Sequence, residues 1–336
     1  MTTPSPEFSV VMAVRNAEST VQDAIRSLQQ QTLAPSELIV VLNGCSDGSW
    51  ERVTALAAVD PRLRLLSSSP EGGVAEAARV GCAAARHPLL ARMDADDWAH
   101  PERFARQWAT WQATGADLVT SRIEVTHSLG AGLERFVAWA NDLQRPEDFR
   151  RERFVESPVI QPGVLMTKAA YEAAGGYRVE DGPEDYDLWL RMLEKGARFV
   201  QAPEALLHWR DSPQRLTRSH EDYSQSRMTA TKARHLGRLP AVRERGVTLA
   251  GGGPIGRALA KLLLAEGVRV HGFFEVNARK IGRTILGLPV WGMGDFGQIH
   301  RSAVLLGCVG RGGRERVRTV ARQAGYREGT DFFACC

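Results

Sequence analysis

The sequence predicts an α/β fold: parallel sheets covered by helices, in two successive domains. Three observations carry that prediction. Along residues 8–94, short apolar runs alternate with segments of helical period. Three carboxylates, Asp94, Asp96 and Asp97, emerge where the apolar stretch 88–93 ends, and in such sheets ligands bind at the carboxyl ends of strands. A fresh strand, glycine turn and helix pattern begins at Gly246. A chain of 336 residues holds about two domains, here read as 1–236 and 237–336.

Phe8–Val14 reads as a buried strand because it is apolar at nearly every position. Val21, Ala24, Ile25 and Leu28 recur at helical spacing and predict a helix over 19–31. A second strand over 37–42 runs into the turn Asn43-Gly44-Cys45-Ser46-Asp47-Gly48. A helix over 50–58, a short strand over 63–66 and an Ala-rich helix over 74–85 lead to the strand before Asp94. Pro101 opens a helix with Phe104, Trp108 and Trp111 on one face. A strand over 117–125 follows, and 126–156 read as irregular, with Trp139 and Phe149 as packing anchors. Gly175-Gly176 ends the helix that follows Lys168. Residues 185–195 predict a helix, 205–210 a closing strand and 219–236 a polar connecting helix. Beyond Gly246 come a strand over 247–250, a glycine turn over 251–256, a helix over 257–265 and a strand over 268–274 that ends at Glu275. A strand over 303–306 and a helix over 314–324 complete a small α/β unit.

Composition narrows the function classes. The chain is 43% hydrophobic and 24% charged, ordinary for a globular protein. No window offers the run of about 18 apolar residues that a membrane span requires, and residues 1–7 lack a basic region followed by an apolar one. A cytoplasmic enzyme is the expectation. Cys45, Cys82, Cys308, Cys335 and Cys336 show neither zinc spacing nor a disulfide framework. The adjacent Cys335-Cys336 suit a buried terminal strand or a lipidated tail, and no CaaX pattern supports the tail. From Gly237 onward 16 Lys and Arg face 7 Asp and Glu, against 27 and 32 in the remainder. The basic part suits phosphates, a partner protein or peripheral association with an anionic membrane, or is simply a solvated Arg-rich face. Nucleic acid is not an expected partner.

The carboxylates carry the chemistry. Like charges this close repel, so the trio calls for a cation, and a divalent ion carrying diphosphate oxygens would supply it. The competing use is an N-cap, with Asp96 or Asp97 starting the next helix. Glu184 and Asp185 open a second acidic cluster, Glu184-Asp185-Tyr186-Asp187. They serve either as helix N-terminal acids or as a general base and its neighbour.

Several segments occur in an order that carries a family resemblance: Val10-Val11-Met12-Ala13-Val14-Arg15-Asn16-Ala17-Glu18, Ser27 to Thr32, Glu37 to Val41, Ala91-Arg92-Met93-Asp94-Ala95-Asp96-Asp97 with Pro101-Glu102-Arg103, Gly175-Gly176-Tyr177-Arg178, and Glu184 to Arg191. Over residues 8–210 the chain closely resembles family 2 inverting glycosyltransferases of the GT-A fold. The resemblance implies a metal-dependent enzyme that moves a sugar from a nucleoside-diphosphate sugar to a glycan, lipid-linked or protein acceptor in cell-surface glycan synthesis or protein glycosylation. It places Asp96 and Asp94 (the DXD pair) on Mn²⁺ or Mg²⁺, Asp97 behind them, and Asp185 as the base, with Glu184 sharing its role or orienting a loop. Ala13, Arg15, Glu18, Asn43, Asp94 and Asp96 are the implied donor contacts; Glu18 is equally a helix start, and Arg79 binds diphosphate or faces solvent. Region 126–156 falls on the acceptor side. The pattern departs from the family at Ala13, Arg15, Leu42 and Asn43, which leaves the nucleotide open. His208 and His220 are read as packed or surface residues and not as metal ligands. The enzyme is expected in the cytoplasm, with the inner membrane face as a place of work.

In the second domain Gly251, Gly253 and Gly256 follow a strand, open a helix and precede Glu275, the context of a dinucleotide-binding turn. The domain resembles small Rossmann-like domains of bacterial sugar-modifying proteins. A bound nucleotide, an empty structural domain and a docking module are all compatible with it. The alternatives for the whole chain are an NAD(P)-linked, sugar-modifying oxidoreductase and a non-catalytic scaffold.

Overall fold

The computed structural model describes residues 6–213, 215–296 and 302–336. The expected absence of a signal segment falls largely on residues outside these. The described residues form two compact units, one of residues up to 149, 158–180 and 184–219, the other of 150–157, 181–183 and 220–336.

The first unit alternates strand and helix: β1 (Phe8–Val14), α1 (Val21–Gln29), β2 (Glu37–Asn43), α2 (Ser49–Ala57), β3 (Leu63–Ser68), α3 (Gly73–Ala84) and β4 (Leu89–Asp94). Then come β5 (Trp98–Ala99), α4 (Arg103–Thr114), β6 (Leu118–Thr126), α5 (Ala131–Asn141), α6 (Pro146–Glu152), β7 (Leu165–Thr167), α7 (Lys168–Ala173), α8 (Glu184–Glu194), β8 (Phe199–Arg210) and α9 (Leu216–Ser219). Strand order is β3-β2-β1-β4-β7-β6-β8-β5, with β1 to β4 parallel and β7 antiparallel to both β4 and β6. Side chains alternate across the pleat. Val10, Met12 and Val14 pack with Ile25, Leu28 and Phe104 on one face. Val11 faces Ala77, Ala78, Leu188 and Trp189 on the other. The small residues of α3 have a steric reason: a Cβ on Gly81 would stand 2.4 Å from a Val11 methyl, so the helix lies hard against β1 and β2.

Two readings of the sequence are corrected here. Residues 126–156 are not irregular, since α5 and α6 occupy them. Phe149 is fully buried, but from Arg150 the chain belongs to the second unit. There Glu152 pairs with Arg318 at 2.6 Å and Phe154 meets Phe333 edge-on at 5.6 Å. The strand over 205–210 is the end of a twelve-residue strand, and β5 rather than β8 closes the sheet.

The second unit holds α10 (Gln225–Arg238), α11 (Pro240–Arg245), β9 (Val247–Ala250), α12 (Pro254–Ala265), β10 (Val270–Glu275), β11 (Thr284–Ile285), β12 (Leu288–Gly292), β13 (Val304–Gly307), α13 (Arg311–Gln323) and β14 (Phe332–Ala334). Its sheet runs β11-β12-β10-β9-β13-β14, with β10, β9, β13 and β14 parallel. Helix α10 is no exposed connector. Thr229, Thr231, Lys232 and His235 are buried with Ala233 and Leu236, and the Lys232 ammonium donates to Val155 O at 2.8 Å. Lys232 and Thr229 can be buried because their donors find backbone carbonyls, Thr229 Oγ1 that of Gln225 at 2.6 Å. The compact units accordingly meet at 219–220 in the chain, not at 236–237.

Candidate active site

Sheet register assembles the site at the carboxyl ends of the parallel strands. Ala13 of β1 lies beside Asp94 of β4, and Val14 beside Leu42 of β2. Arg15, Asn43 and Asp94 therefore leave the sheet as neighbours. Asn43 donates to Ser68 Oγ at 2.9 Å and to Ser69 O at 2.6 Å, while its own buried carbonyl oxygen has no partner in the protein. Arg15 reaches Pro70 O at 3.5 Å. Glu18 accepts from Gly48 N at 3.1 Å and faces Arg52 at 3.5 Å, so it secures the loop after β2. Arg79 is held bidentate by Glu76, both bonds at 2.7 Å.

After Asp94 the chain turns sharply. Asp97 N donates to Asp94 O at 3.4 Å, and Asp97 Oδ1 accepts from Arg210 N at 2.9 Å, tying the turn to β8. Helix α4 starts only at Arg103, after Glu102, so neither Asp96 nor Asp97 caps it. The second oxygen of Asp97 is buried without a partner. Burial, then repulsion from Asp94, pushes the Asp96 carboxyl up to about 6. Burial also raises Asp94, against the nearby charges of Arg92, Arg215 and Arg103. Asp97 is raised well above its ordinary range by burial and by Asp96 and Asp94. Carboxylates that resist ionisation and an orphaned buried oxygen suit a site that receives a cation. Among the described residues no three His, Cys, Asp or Glu side chains converge into a ready-made metal cage. Mg²⁺ and Mn²⁺ need only one or two protein carboxylates when phosphate oxygens complete the shell.

Asp185 sits in the first turn of α8 and accepts from Tyr186 N at 2.6 Å. Its carboxyl is pushed well above the usual range by burial, then by Glu184 and Asp94. Asp187 is committed elsewhere, to Arg191 at 2.7 Å.

Several residues of this site were not singled out from the sequence. The wholly buried Arg92 lies 3.5 Å from Asp94 and donates to Gln161 Oε1 at 3.5 Å. Gln161 in turn donates to Glu184 at 3.4 Å and to Tyr177 Oη at 3.1 Å. An Arg and a Gln thus bridge the Asp94 and Asp185 clusters. Arg103, also wholly buried, donates to the carbonyls of Arg92 at 2.9 Å and Val164 at 3.3 Å, and burial pushes it down to about 9. Arg215 lies 3.7 Å over the Trp209 ring and contributes positive charge to Asp94, Asp96 and Asp97. The one available signal was Arg92, a charge inside an apolar strand. Gln161→Leu should cost about 1–3 kcal/mol by leaving Glu184 and Tyr177 short of a donor, read as a lower urea midpoint.

A cleft of about 530 Å³ lies beside the turn, lined in part by Asp96, Asp97, Trp98, His208 and Arg210. His208 is 3.4 Å from Glu124, and its ring centre is 5.0 Å from that of Trp98. His220 lies in the second unit, 3.2 Å from Asp222.

In the second unit the glycines divide by role. Gly251 has φ +112°, and a Cβ there would stand 2.5 Å from Cys308 O; one on Gly256 would meet Gly251 O at 2.0 Å. Gly253 faces open space. Glu275 accepts from Gly252 N at 3.0 Å and pairs with Lys280 at 2.7 Å.

Comparison with known proteins agrees with this geometry. Residues 9–173 match the family model described as "Glycosyl transferase family 2". The chain is 28% identical over 202 residues to the amylovoran biosynthesis glycosyltransferase AmsE of Erwinia amylovora, covering 60% of this chain and 74% of that protein. It superposes on S. aureus TarS 1–349 in complex with UDP-GlcNAc with TM-score 0.57 and 16% identity, over 76% of this chain and 71% of the other. For the mannosyltransferase PcManGT from Pyrobaculum calidifontis in complex with GDP-Man and Mn²⁺ the values are 0.52, 17%, 79% and 72%. At those identities the superpositions speak for the fold, that of GT-A glycosyltransferases. No helix among the described residues is long and apolar enough to cross a membrane. Residues 9–173 are thus a domain that matches glycosyltransferase family 2, and the relatives that the chain resembles are named glycosyltransferases.

Proposed function

We propose that the first unit transfers a sugar, with inversion, from a nucleoside-diphosphate sugar to an acceptor hydroxyl in glycan biosynthesis. The observation that carries this reading is the chain of contacts from Asp94 at the end of β4 through Arg92 and Gln161 to Glu184 at the head of α8, beside Asp185. AmsE is named for polysaccharide biosynthesis, and TarS and PcManGT hold sugar nucleotides. Asp96 and Asp94 would hold Mn²⁺ or Mg²⁺, which supplies positive charge to the departing diphosphate and relieves Asp185 of the negative field of Asp94. Asp185 accepts the acceptor's proton at a carboxylate oxygen, while Glu184, fixed by Gln161, sets the charge beside it. Ala13, Arg15 and Asn43 receive the nucleoside, and the orphaned Asn43 oxygen suits an N–H donor of a base. Arg215 and Arg92 balance the acidic cluster.

Calorimetry with a panel of UDP- and GDP-sugars, with and without Mn²⁺, tests this. One sugar nucleotide should bind in a Mn²⁺-dependent way and be slowly hydrolysed. Absence of binding across the panel would remove the proposal.

For the second unit the nucleotide reading rests on the open face at Gly253, and Gly251 and Gly256 also serve close packing. Gly253→Trp should block nucleotide binding there while leaving the fold intact.

A further inference from the structure

The cleft beside the carboxylate turn has a wall that takes no part in the transfer chemistry. Asp23, Arg26 and Gln30 of α1 line it. Spacings of three and four residues put them in one row along the helix. All three are exposed, and none of their side chains forms a hydrogen bond or ion pair with the described residues. Trp98 of β5 lines the same cleft. It is the direct partner of His208 in the β5–β8 pairing. Its ring centre lies 5.0 Å from that of His208 and 6.4 Å from that of His100, at 54° and 87°. The two imidazoles brace the half-buried indole. Ala13, Arg15, Asn43 and Asp185 do not line this cleft.

The lining selects the chemistry of a ligand. Asp23, Asp96 and Asp97 oppose a phosphate or any other anion, and Arg26 and Arg210 oppose a cation. Charges of both signs around one space favour an uncharged occupant. Arg26 and Arg210 donate hydrogen bonds, Asp23 accepts them, and Gln30 and Thr126 do both. So many polar groups call for a ligand that carries several hydroxyls. The face of an indole is electronegative and receives C–H bonds. A pyranose ring presents both features, hydroxyls at its rim and C–H bonds on its face. The volume of about 530 Å³ falls within the roughly 300–1,000 Å³ of small-molecule sites. His127, another lining residue, holds φ +57°. That conformation is uncommon outside glycine, and residues held in it cluster at ligand clamps.

We propose that this cleft binds a neutral saccharide, one pyranose ring lying against Trp98 with its hydroxyls bonded by Asp23, Arg26 and Gln30. In the transfer proposed for this unit the bound sugar belongs to the glycan being built, because the donor contacts lie elsewhere. A chain held beside the reacting groups loses its freedom before the reaction rather than during it. Binding itself does not depend on which groups carry out the transfer.

The test is saturation-transfer NMR and calorimetry on the full chain without metal or nucleotide. The probes are glucose, galactose, mannose, N-acetylglucosamine, cellobiose and lactose. At least one should bind and receive saturation from aromatic protons of the protein. Trp98→Phe should keep that transfer and Trp98→Ala should lose it. Arg26→Ala combined with Gln30→Ala removes two hydrogen-bonding groups from an exposed helix face and should weaken binding about tenfold or more. This double variant carries the test even where Trp98→Ala does not fold. Asp185→Asn should bind the saccharide as the wild type does, whatever its effect on transfer. The proposal is overturned if no probe binds, if the double variant binds as tightly as the wild type, or if Asp185→Asn loses binding, which would put the sugar at the base instead.

Discussion

Replacing Asp185 by Asn should stop sugar transfer and leave donor binding unchanged. The amide keeps the shape of the side chain and its hydrogen bond to Tyr186 N but cannot take a proton. Loss of a positioned base removes roughly 10²–10⁴-fold in rate, so turnover should fall by about that factor while the calorimetric affinity for the sugar nucleotide holds. The environment also predicts a pH dependence. With burial first, then Glu184 and Asp94, raising the Asp185 carboxyl, transfer by the wild type should fade on acidification. Glu184→Gln removes the larger of those two charges, and the acidic limb of its profile should move to lower pH. Wild-type transfer rates in Asp185→Asn would eliminate Asp185 as the base.

The second large effect is expected at Asp96. Asp96→Asn should abolish Mn²⁺-dependent donor binding and cost several kcal/mol of transition-state stabilisation, roughly a thousandfold in rate. Stability gives a readout independent of activity. The folded-state pKa of Asp96 is raised to about 6 from an ordinary 3.8, so between those values the folded chain binds more protons than the unfolded one. Stability from this group is therefore highest below about pH 4, falls as pH rises through 6, and stays low at pH 7. Asp94 and Asp97 act in the same direction. Mn²⁺ should raise the melting temperature at pH 7.5 and lose that effect near pH 5. Asp96→Asn should melt higher than the wild type at pH 7.5 without metal and respond little to Mn²⁺. An Mn²⁺ response equal to that of the wild type would place the cation elsewhere.

The alternation of β1 to β4 with α1 to α3 could be read directly from the sequence, because β1, β2 and most of β4 are apolar on both faces and α1 repeats Val21, Ala24, Ile25 and Leu28 at helical spacing. The carboxylates at the end of β4 were equally legible, since a cluster of like charge after a buried strand is chemically costly. Region 126–156 was not. Helix α5 does repeat Leu133, Phe136, Val137 and Ala140 at helical spacing, but the flanking polar residues masked it, and the last part of the region is held by Arg318 and Phe333, more than 160 positions away. Helix α10 was misread for a related reason, since local polarity gives no sign that a distant carbonyl will satisfy Lys232.

What the chain determined by itself was the kind of layers it forms and the acids it presents, because periodicity and charge crowding are local properties. Tertiary structure alone decided that Arg92 and Gln161 bridge Asp94 and Glu184, and that Asp97 is tied to the distant strand β8. Those facts depend on strand register and on which faces meet, and residues that are far apart in sequence carry no local record of either.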